Sequence, residues 1–275
     1  MDSSESSQQH GMPVITVGVA THKPYRMPND SMYLPLHVGA ALHPEVCPDM
    51  TGDDTGENIS DRNGYYSELT GLYWLWKNCH SDYKGLVHYR RHLGSRKVGS
   101  CFKKDRFDRI VGSDEVRELL ANHAIIVAKK RNYYIETVYS HYAHTFHGMQ
   151  FDTCREVLND LEPEYVPAWD SLMESTGAHI FNMFIMGQEH FDEYCAWMFP
   201  ILFELENRLD PGQYDAFHAR YLGRVSERLL DPWLTTNGYS YVELPVVSPE
   251  PVNWWKKGTG FLTAKFGGKK YDASF

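Results

Sequence analysis

The chain has 275 residues, of which 42% are hydrophobic and 23% charged, a composition that suits one large α/β domain with disorder confined to its ends. Its formal net charge of -9 argues against bulk nucleic-acid binding, which is mainly electrostatic. The five cysteines are scattered and form no CxxC pair, so they argue against a zinc site and fit a reducing cytoplasm.

Hydrophobic periodicity predicts strands that alternate with helices. The β-branched run VITVGVA at 14–20 predicts a first, buried parallel strand, and three prolines then predict a loop that lasts to about residue 36. The later segments, in chain order, are an acidic loop at 49–64, a helix at 65–78, a strand at 84–91, a basic stretch at 96–109, a strand at 124–128, a helix at 136–160, a strand at 179–187, helices at 190–209 and 224–235, and a strand at 241–247. This order predicts an α/β fold whose mixed or parallel sheet is covered on both faces.

The two ends of the chain differ in character from its middle. Residues 1–12 are polar and lack the apolar region of a signal peptide, which predicts a disordered N-terminus before a single domain at 13–250. Residues 251–275 form a basic, aromatic tail in which lysines are interleaved with Trp254, Trp255, Phe261 and Phe266. Such a tail suits an anionic inner membrane face, or alternatively it folds back onto the acidic body.

Polar side chains follow the first predicted strand directly. Thr21, His22 and Lys23 lie where ligands bind in open α/β sheets, beyond the carboxyl ends of the strands. These side chains could contact a nucleotide base, a ribose or a phosphate, and the alternative is a solvated turn.

A helix start is predicted close behind the acidic loop. Asp61 and Asn63 could cap the helix, and a helix N-terminus also favours an anion such as a diphosphate. Glu68, in the first turn, gains from the helix dipole whether or not it takes part in chemistry.

The run HYRRH at 88–92 ends a predicted internal strand, where burying unpaired charge would be costly. Arginines at a strand tip could clamp a diphosphate through bidentate hydrogen bonds. Strand alternation predicts that His88 and Arg90 point to one face of the sheet and Arg91 to the other, so that one arginine faces the ligand.

Glu227 lies off the apolar stripe of the last predicted helix, at its start. Its carboxylate could take a proton from an acceptor hydroxyl, or it could form a surface helix turn with Arg228. His141, His144 and His147 have near-helical spacing that can bind a metal, but no HExxH motif accompanies them, and polar packing or acceptor contacts are favoured.

Several ordered motifs together are similar to one known family. They are VATHKPYRMPND, YLPLHVGAAL, NISDRNGYYSELTGLYWLWKN, YKGLVHYRRHL, FNMFIMGQEHFDEYCAWMFPILFELE and GRVSERLLDPWLTTNGYSYVELPVV. This set resembles a family of uncharacterised domains found among bacterial capsular and exopolysaccharide glycosyltransferases.

The resemblance implies a GT-A-like, Rossmann-type mixed sheet flanked by helices, and a sugar transfer from a nucleotide-sugar donor, UDP-sugar being the commonest, to a carbohydrate or lipid-linked acceptor. In such an enzyme, the candidate catalytic residues of this sequence are Glu227 and His88. The candidate donor-binding residues are Thr21, His22, Lys23, Asn63, Glu68, Arg90, Arg91 and Asn182.

One departure from GT-A enzymes concerns the metal. Their DXD motif is missing from the predicted strand ends, and HYRR stands where it would be expected. Cationic side chains could neutralise the diphosphate instead, while Asp53, Asp54 and Asp61 remain able to bind Mn or Mg. A non-catalytic carbohydrate-binding or nucleotide-sugar-binding protein and a nucleotide-sugar hydrolase or phosphotransferase are the alternative functions.

Overall fold

A computed structural model describes residues 12–250. Its largest sheet has seven strands in the order β10-β6-β9-β4-β1-β2-β3. The strands of the chain are β1 Ile15–Thr21, β2 Tyr33–His37, β3 Thr51–Gly52, β4 Tyr83–His88, β5 His92–Leu93, β6 Ile125–Ala128, β7 Arg131–Asn132, β8 Gly177–Ala178, β9 Phe184–Gly187, β10 Tyr241–Leu244 and β11 Val246–Val247. The small pairs β5–β11 and β7–β8 stand outside the large sheet.

Nine α-helices lie among the described residues. They are α1 Asn63–Tyr66, α2 Leu69–Asn78, α3 Ser113–Leu120, α4 Val138–Thr145, α5 Met149–Leu161, α6 Val166–Glu174, α7 Gln188–Arg208, α8 Tyr221–Ser226 and α9 Leu230–Asn237. Val17 and Val19 of β1 are β-branched and fully buried, which places β1 inside the sheet.

Strand direction makes the sheet mixed. The β3, β2, β1 and β4 strands are mutually parallel, and β9 is antiparallel to both β4 and β6. The β10 strand is parallel to β6. The predicted mixed α/β sheet flanked by helices is therefore confirmed, and the carboxyl ends of β1, β2, β4 and β6 meet at one edge.

Both faces of the sheet are buried. Ile125 and Val127 belong to a large core that includes most helices, whereas Ile126 belongs to a smaller core with residues of α3. Gly18 lets α2 approach β1 closely, because a Cβ there would lie 2.8 Å from Cδ1 of Leu75.

Two sequence-based boundaries near the start of the chain are wrong. The proline loop was expected to last to about residue 36, but β2 begins at Tyr33 and includes Pro35, because hydrogen bonding to β1 extends the backbone there. The helix expected at 65–78 is interrupted at Ser67, whose φ of 55° is left-handed and ends α1 before α2 begins.

Four later boundaries also differ. The strand expected at 84–91 ends at His88 in a tight turn. The helix at 136–160 is divided at Phe146, whose backbone is not helical, and the helix at 224–235 is divided by residues 227–229. The strand expected at 179–187 begins at Phe184, since Phe181 and Asn182 have positive φ angles.

The termini carry two further predictions. The expected disordered N-terminus lies almost wholly, and the basic C-terminal tail wholly, outside the described residues, and the single domain at 13–250 stays a prediction. Within residues 12–250, no helix is long and apolar enough to cross a membrane.

Candidate active site at the carboxyl edge of the sheet

Three parts of the chain meet at the carboxyl edge of the parallel strands. His22 follows β1 and His88 ends β4, which are paired neighbours in the sheet. The segment that leads into the antiparallel β9 begins at the same edge, because β9 runs opposite to β4. The end of α8 joins them through a hydrogen bond from Oγ of Ser226 to Oδ1 of Asn182 at 3.1 Å.

The arginine pair lies in a turn that follows β4. The N–H of Arg91 donates to the carbonyl of His88 at 2.7 Å, and the N–H of His88 donates back to Arg91 at 3.1 Å. Strand alternation therefore does not govern Arg90 and Arg91, and the reasoning that put them on opposite faces of a strand is wrong. We refer to residues 88–91 as the arginine turn.

His88 is held as a neutral imidazole. The backbone N–H of Arg90 donates to its Nδ1 at 3.2 Å, so Nδ1 carries no proton and Nε2 carries it. Burial and the charges of Arg90 and Arg91 hold the pKa of His88 well below its ordinary value. His88 therefore offers an Nε2–H donor rather than a base.

His22 faces the same cationic group. Its ring lies edge-on to Tyr89, with centroids 5.3 Å apart. Partial burial, followed by the charges of Arg90 and Arg220, lowers the pKa of His22. Arg220 is bound to this edge by its Nε, which donates to Oγ of Ser67 at 2.9 Å.

Two carboxylates border the cations on the side of α8. Burial, and then the negative charge of Glu227, raises the pKa of Glu68, while a hydrogen bond from Asn182 partly offsets this. Nδ2 of Asn182 donates to Glu68 at 2.8 Å and to the carbonyl of Gly223 at 3.1 Å, which fixes the amide orientation. Glu227 forms an ion pair with the buried Arg228.

Arg91 lies between the cationic side chains and the two glutamates. Its guanidinium is 4.5 Å from the ring centroid of Phe181. Burial and the charge of Arg90 lower the pKa of Arg91, whereas Glu227 and Glu68 act in the opposite direction. The site thus passes from the cations Arg90 and Arg220, which lie near His22, across Arg91 to the carboxylate pair.

Backbone strain is concentrated here. Among the described residues, four non-glycine residues have positive φ, and three of them, Ser67, Phe181 and Asn182, contribute to this site. Such conformations persist only where surrounding contacts enforce them, and they cluster at functional sites.

Comparisons with known proteins identify the family of the chain and a solved structure with a similar fold. A family model described as "Domain of unknown function (DUF4422)" matches residues 16–238. The chain belongs to the DUF4422 family. A solved structure of WbbM, described as a bifunctional glycosyltransferase in its apo form, matches with a TM-score of 0.76 and 28% identity over 85% of this chain and 45% of that one. No curated protein matches this DUF4422 chain.

The DUF4422 chain thus has a glycosyltransferase fold and is similar to less than half of a longer glycosyltransferase. What that longer protein does as a whole is not transferred by the match alone. The predicted HYRR motif corresponds to the arginine turn, and its role stays a prediction.

Three predicted donor-binding residues of the DUF4422 chain have side chains that bind other parts of the protein near the carboxyl edge. Thr21 donates to the carbonyl of Lys23 at 2.7 Å, and Lys23 forms an exposed ion pair with Glu250 at 3.4 Å. Nδ2 of Asn63 donates to Ser67 at 2.8 Å. These side chains shape the backbone around His22 and Ser67.

The expected helix caps do not form. Asn63 begins α1 and Asp61 lies in the preceding 3-10 helix, and neither helix start has a capping hydrogen bond from a side chain. Glu227 directly follows α8 instead of starting a helix, and its charge acts on Glu68 at the carboxyl edge.

Asp53, His141 and His144, which were considered for metal binding, have other partners. Asp53 is fully buried and accepts hydrogen bonds from the backbone N–H groups of Gly39 and Ala40 at 3.0 and 3.1 Å. His141 and His144 both contact Glu136, at 2.8 and 3.0 Å. Within residues 12–250, no group of three or more His, Cys, Asp or Glu side chains could hold a metal ion.

The sequence reasoning missed Arg220 and Ser226. Arg220 follows an irregular stretch with no periodic pattern, and its place beside Ser67, 153 residues earlier, is a tertiary contact. Ser226 directly precedes Glu227 in a motif that was quoted for the family resemblance, which was the available signal.

Proposed function

We propose that the chain transfers a sugar from a nucleotide-sugar donor, a UDP-sugar, to a carbohydrate or lipid-linked acceptor in surface polysaccharide synthesis. The observation that carries the proposal is the cationic pair of Arg90 and Arg220, with His22 beside it, next to the Glu68–Glu227 pair at the carboxyl edge of the sheet. Membership in a glycosyltransferase-like family supports the reaction class.

The cations suit a diphosphate. Nε of Arg90 is buried and has no hydrogen-bond partner among the described residues. The neutral tautomer of His88 carries its proton on Nε2, which can donate it to a ligand. Donors fixed before the reaction stabilise the negative charge that develops on the leaving nucleoside diphosphate, and they need no reorganisation when it forms. Arg90, Arg220 and His88 are therefore the proposed diphosphate-binding residues, with His22 at their rim.

The carboxylate pair suits proton transfer. In a transfer with inversion, the acceptor hydroxyl loses its proton as it attacks the anomeric carbon, and a positioned carboxylate accepts it. Glu227 is the proposed base, since Arg228 orients it and its side chain remains 18% exposed. Glu68, bound by Asn182, is the proposed contact to the donor sugar.

Calorimetry and donor consumption test this function together. We expect UDP to bind with heat and to raise the melting temperature in proportion to the logarithm of its saturation. UDP-sugar consumption should require an acceptor. Consumption without any acceptor would identify a nucleotide-sugar hydrolase, and binding without consumption would identify a non-catalytic binding protein. Absence of binding of every nucleoside diphosphate at millimolar concentration would contradict the donor site.

A further inference from the structure

An exposed turn at Tyr133–Ile135 carries two large apolar side chains. Tyr134 is 82% exposed and Ile135 is 80% exposed. The N–H of Ile135 donates to the carbonyl of Tyr133 at 2.8 Å across Tyr134, whose φ is 61°. A three-residue turn with positive φ at its centre is rare and strained for a residue with a Cβ.

No packing compensates for this strain. Tyr134 is the fourth non-glycine residue with positive φ among those described, and the other three border the site. Its N–H donates to Oδ1 of Asn132 at 2.6 Å, a contact that any residue could make. A strained backbone that presents an aromatic ring to solvent points to a contact with a ligand.

The base of the turn is rigid. Tyr133 is buried and stacks on His141, with ring centroids 4.2 Å apart. Glu136 accepts hydrogen bonds from His141 and His144, and the N–H of Val138 donates to Ser175 at 2.8 Å. The two exposed side chains are therefore presented by a fixed support.

The same support reaches the carboxylate pair. Nη2 of Arg228 donates to the hydroxyl of Tyr133 at 3.2 Å, and Arg228 also pairs with Glu227. Arg131 lies over the ring of Tyr133 at 5.3 Å, and its charge acts on Arg91. Because β6 and β1 lie on opposite sides of β4, the turn borders the carboxylates on the side away from His22.

We propose that Tyr134 and Ile135 form an acceptor subsite, in which the ring of Tyr134 stacks on the apolar face of a carbohydrate acceptor. This rests on the proposed transferase function and names the surface that binds its second substrate. A sugar ring has C–H groups on its face, which match the exposed ring of Tyr134, and hydroxyls on its edge, which can accept hydrogen bonds from donors such as Arg131 over the neighbouring Tyr133.

A carbohydrate is favoured over a membrane surface at this turn. The apolar patch consists of two side chains, and the nearby Lys130 is paired with the buried Asp231 at 3.1 Å. Membrane-binding surfaces need several lysines or arginines that face the lipid headgroups. Vesicle binding is nevertheless measured, so that the two partners are separated.

The experiment uses the full chain and four methyl glycosides, of glucose, galactose, mannose and N-acetylglucosamine, in the presence of UDP. Saturation-transfer NMR titrations measure glycoside binding to wild type, Tyr134→Gly, Tyr134→Trp and Phe102→Ser. We expect Tyr134→Gly to weaken binding about fivefold or more, the loss expected for one aromatic contact. Tyr134→Trp should retain binding, and Phe102→Ser, which removes an exposed ring from the basic stretch at 96–109, should leave it unchanged.

Stability distinguishes a ligand contact from a structural role. Glycine adopts positive φ without strain, so Tyr134→Gly should melt at or above the wild-type temperature while it binds glycosides more weakly. UDP affinity should not change. A lowered melting temperature with proportional losses of both UDP and glycoside binding would overturn the subsite.

Other outcomes are equally decisive. Wild-type protein that binds none of the four glycosides, or equal binding by wild type and Tyr134→Gly, overturns the subsite. Loss of binding to anionic vesicles in Tyr134→Gly, with glycoside binding intact, assigns the turn to lipid and also overturns it. Glycoside binding that depends on Tyr134 in a protein that binds no nucleoside diphosphate keeps the subsite and rejects the proposed transferase function.

Discussion

Arg90, Arg91 and Arg220 face different neighbours within one cationic surface. The charges of Arg90 and Arg220 lower the pKa values of His22 and His88. The pKa of Arg91, in contrast, is also affected by the charges of Glu68 and Glu227. The difference arises from the turn after β4, which separates neighbouring side chains without strand alternation.

We therefore expect Arg90→Ala and Arg220→Ala to weaken UDP binding by about tenfold to a hundredfold each, since a hydrogen bond to a charged group contributes about 1.5–3 kcal/mol. Arg91→Ala should lower kcat more than it changes UDP affinity. Calorimetry and steady-state kinetics measure both effects. Arg155→Ala, which removes an exposed ion pair with Asp170, is the matched control. Equal, small losses for all three site arginines would reject the clamp.

Glu227→Gln keeps the shape of the side chain and removes the proposed base. We expect turnover at saturating donor and acceptor to fall by about a hundredfold to ten-thousandfold, the usual contribution of general base catalysis. UDP affinity, measured by calorimetry, should be retained. Near-full turnover in this variant would exclude Glu227 as the base.

Glu68 should make stability depend on pH. Because its folded pKa is raised above the ordinary value of about 4.5, the folded state binds the proton more tightly than the unfolded state does. The stabilising contribution of protonated Glu68 is thus complete below that value and is lost as pH rises through the folded pKa. Glu68→Gln is neutral at every pH, so its melting temperature minus that of wild type should increase from pH 4 to pH 7. A pH-independent difference in thermal melts would contradict the raised pKa.

At the scale of elements, Asp53 joins the ends of β2 and β3 to the 3-10 helix Ser60–Arg62 that precedes α1. Its carboxylate accepts hydrogen bonds from two backbone N–H groups after β2 and from Oγ of Ser60. Gly39 permits this arrangement, because its φ is 75° and a Cβ there would lie 2.8 Å from Asn63.

This network predicts a structural cost for Asp53→Asn. An amide nitrogen cannot accept the N–H groups, so we expect a loss of about 1.5–3 kcal/mol of unfolding free energy, or roughly 3–12 °C in melting temperature. Asp54 is adjacent and exposed, so Asp54→Asn should change neither the unfolding free energy nor the melting temperature. If Mn or Mg instead raised the wild-type melting temperature and failed to do so in both variants, the loop would be a metal site.

For the whole molecule, positive charge is separated from an acidic body. The C-terminal segment 253–275 carries five lysines against one aspartate, and the segment 96–109 is also basic, with Val98 and Phe102 exposed. Nη1 of Arg106 donates to the carbonyls of Ser248 and Glu250, which brings this basic loop to the end of the described residues.

We expect the tail to hold the protein at an anionic cytoplasmic membrane face, with about 1 kcal/mol from each lysine. Glutamine at Lys256, Lys257, Lys265, Lys269 and Lys270 should reduce co-sedimentation with anionic liposomes and leave UDP binding intact. Glutamine at Lys97, Lys103 and Lys104 tests the basic loop separately. Equal binding to neutral and anionic vesicles would rule out the electrostatic attachment.

Much of the framework could be read from local sequence. The runs at 14–20 and 124–128 were predicted as strands from their apolar side chains, and β1 and β6 overlap them. His22 was expected directly after the first strand, where it lies, whereas His88 was expected inside a strand that ran to residue 91 and instead ends β4. The same reasoning failed at Ser67, Phe181 and Asn182, where side-chain and backbone contacts from distant segments impose positive φ on residues whose local preference is different.

The sequence by itself determined the alternating α/β framework, the acidic body and the polar side chains at the carboxyl ends of β1 and β4, because burial of short apolar runs is a local property. Only the tertiary structure decided which of those side chains face one another. The contact of Asn182 with Glu68 spans 114 residues, and the turn at His88 fixes an imidazole tautomer through a single backbone N–H. Such contacts depend on how β9 and α8 pack against the edge of the sheet, and no local pattern encodes that packing.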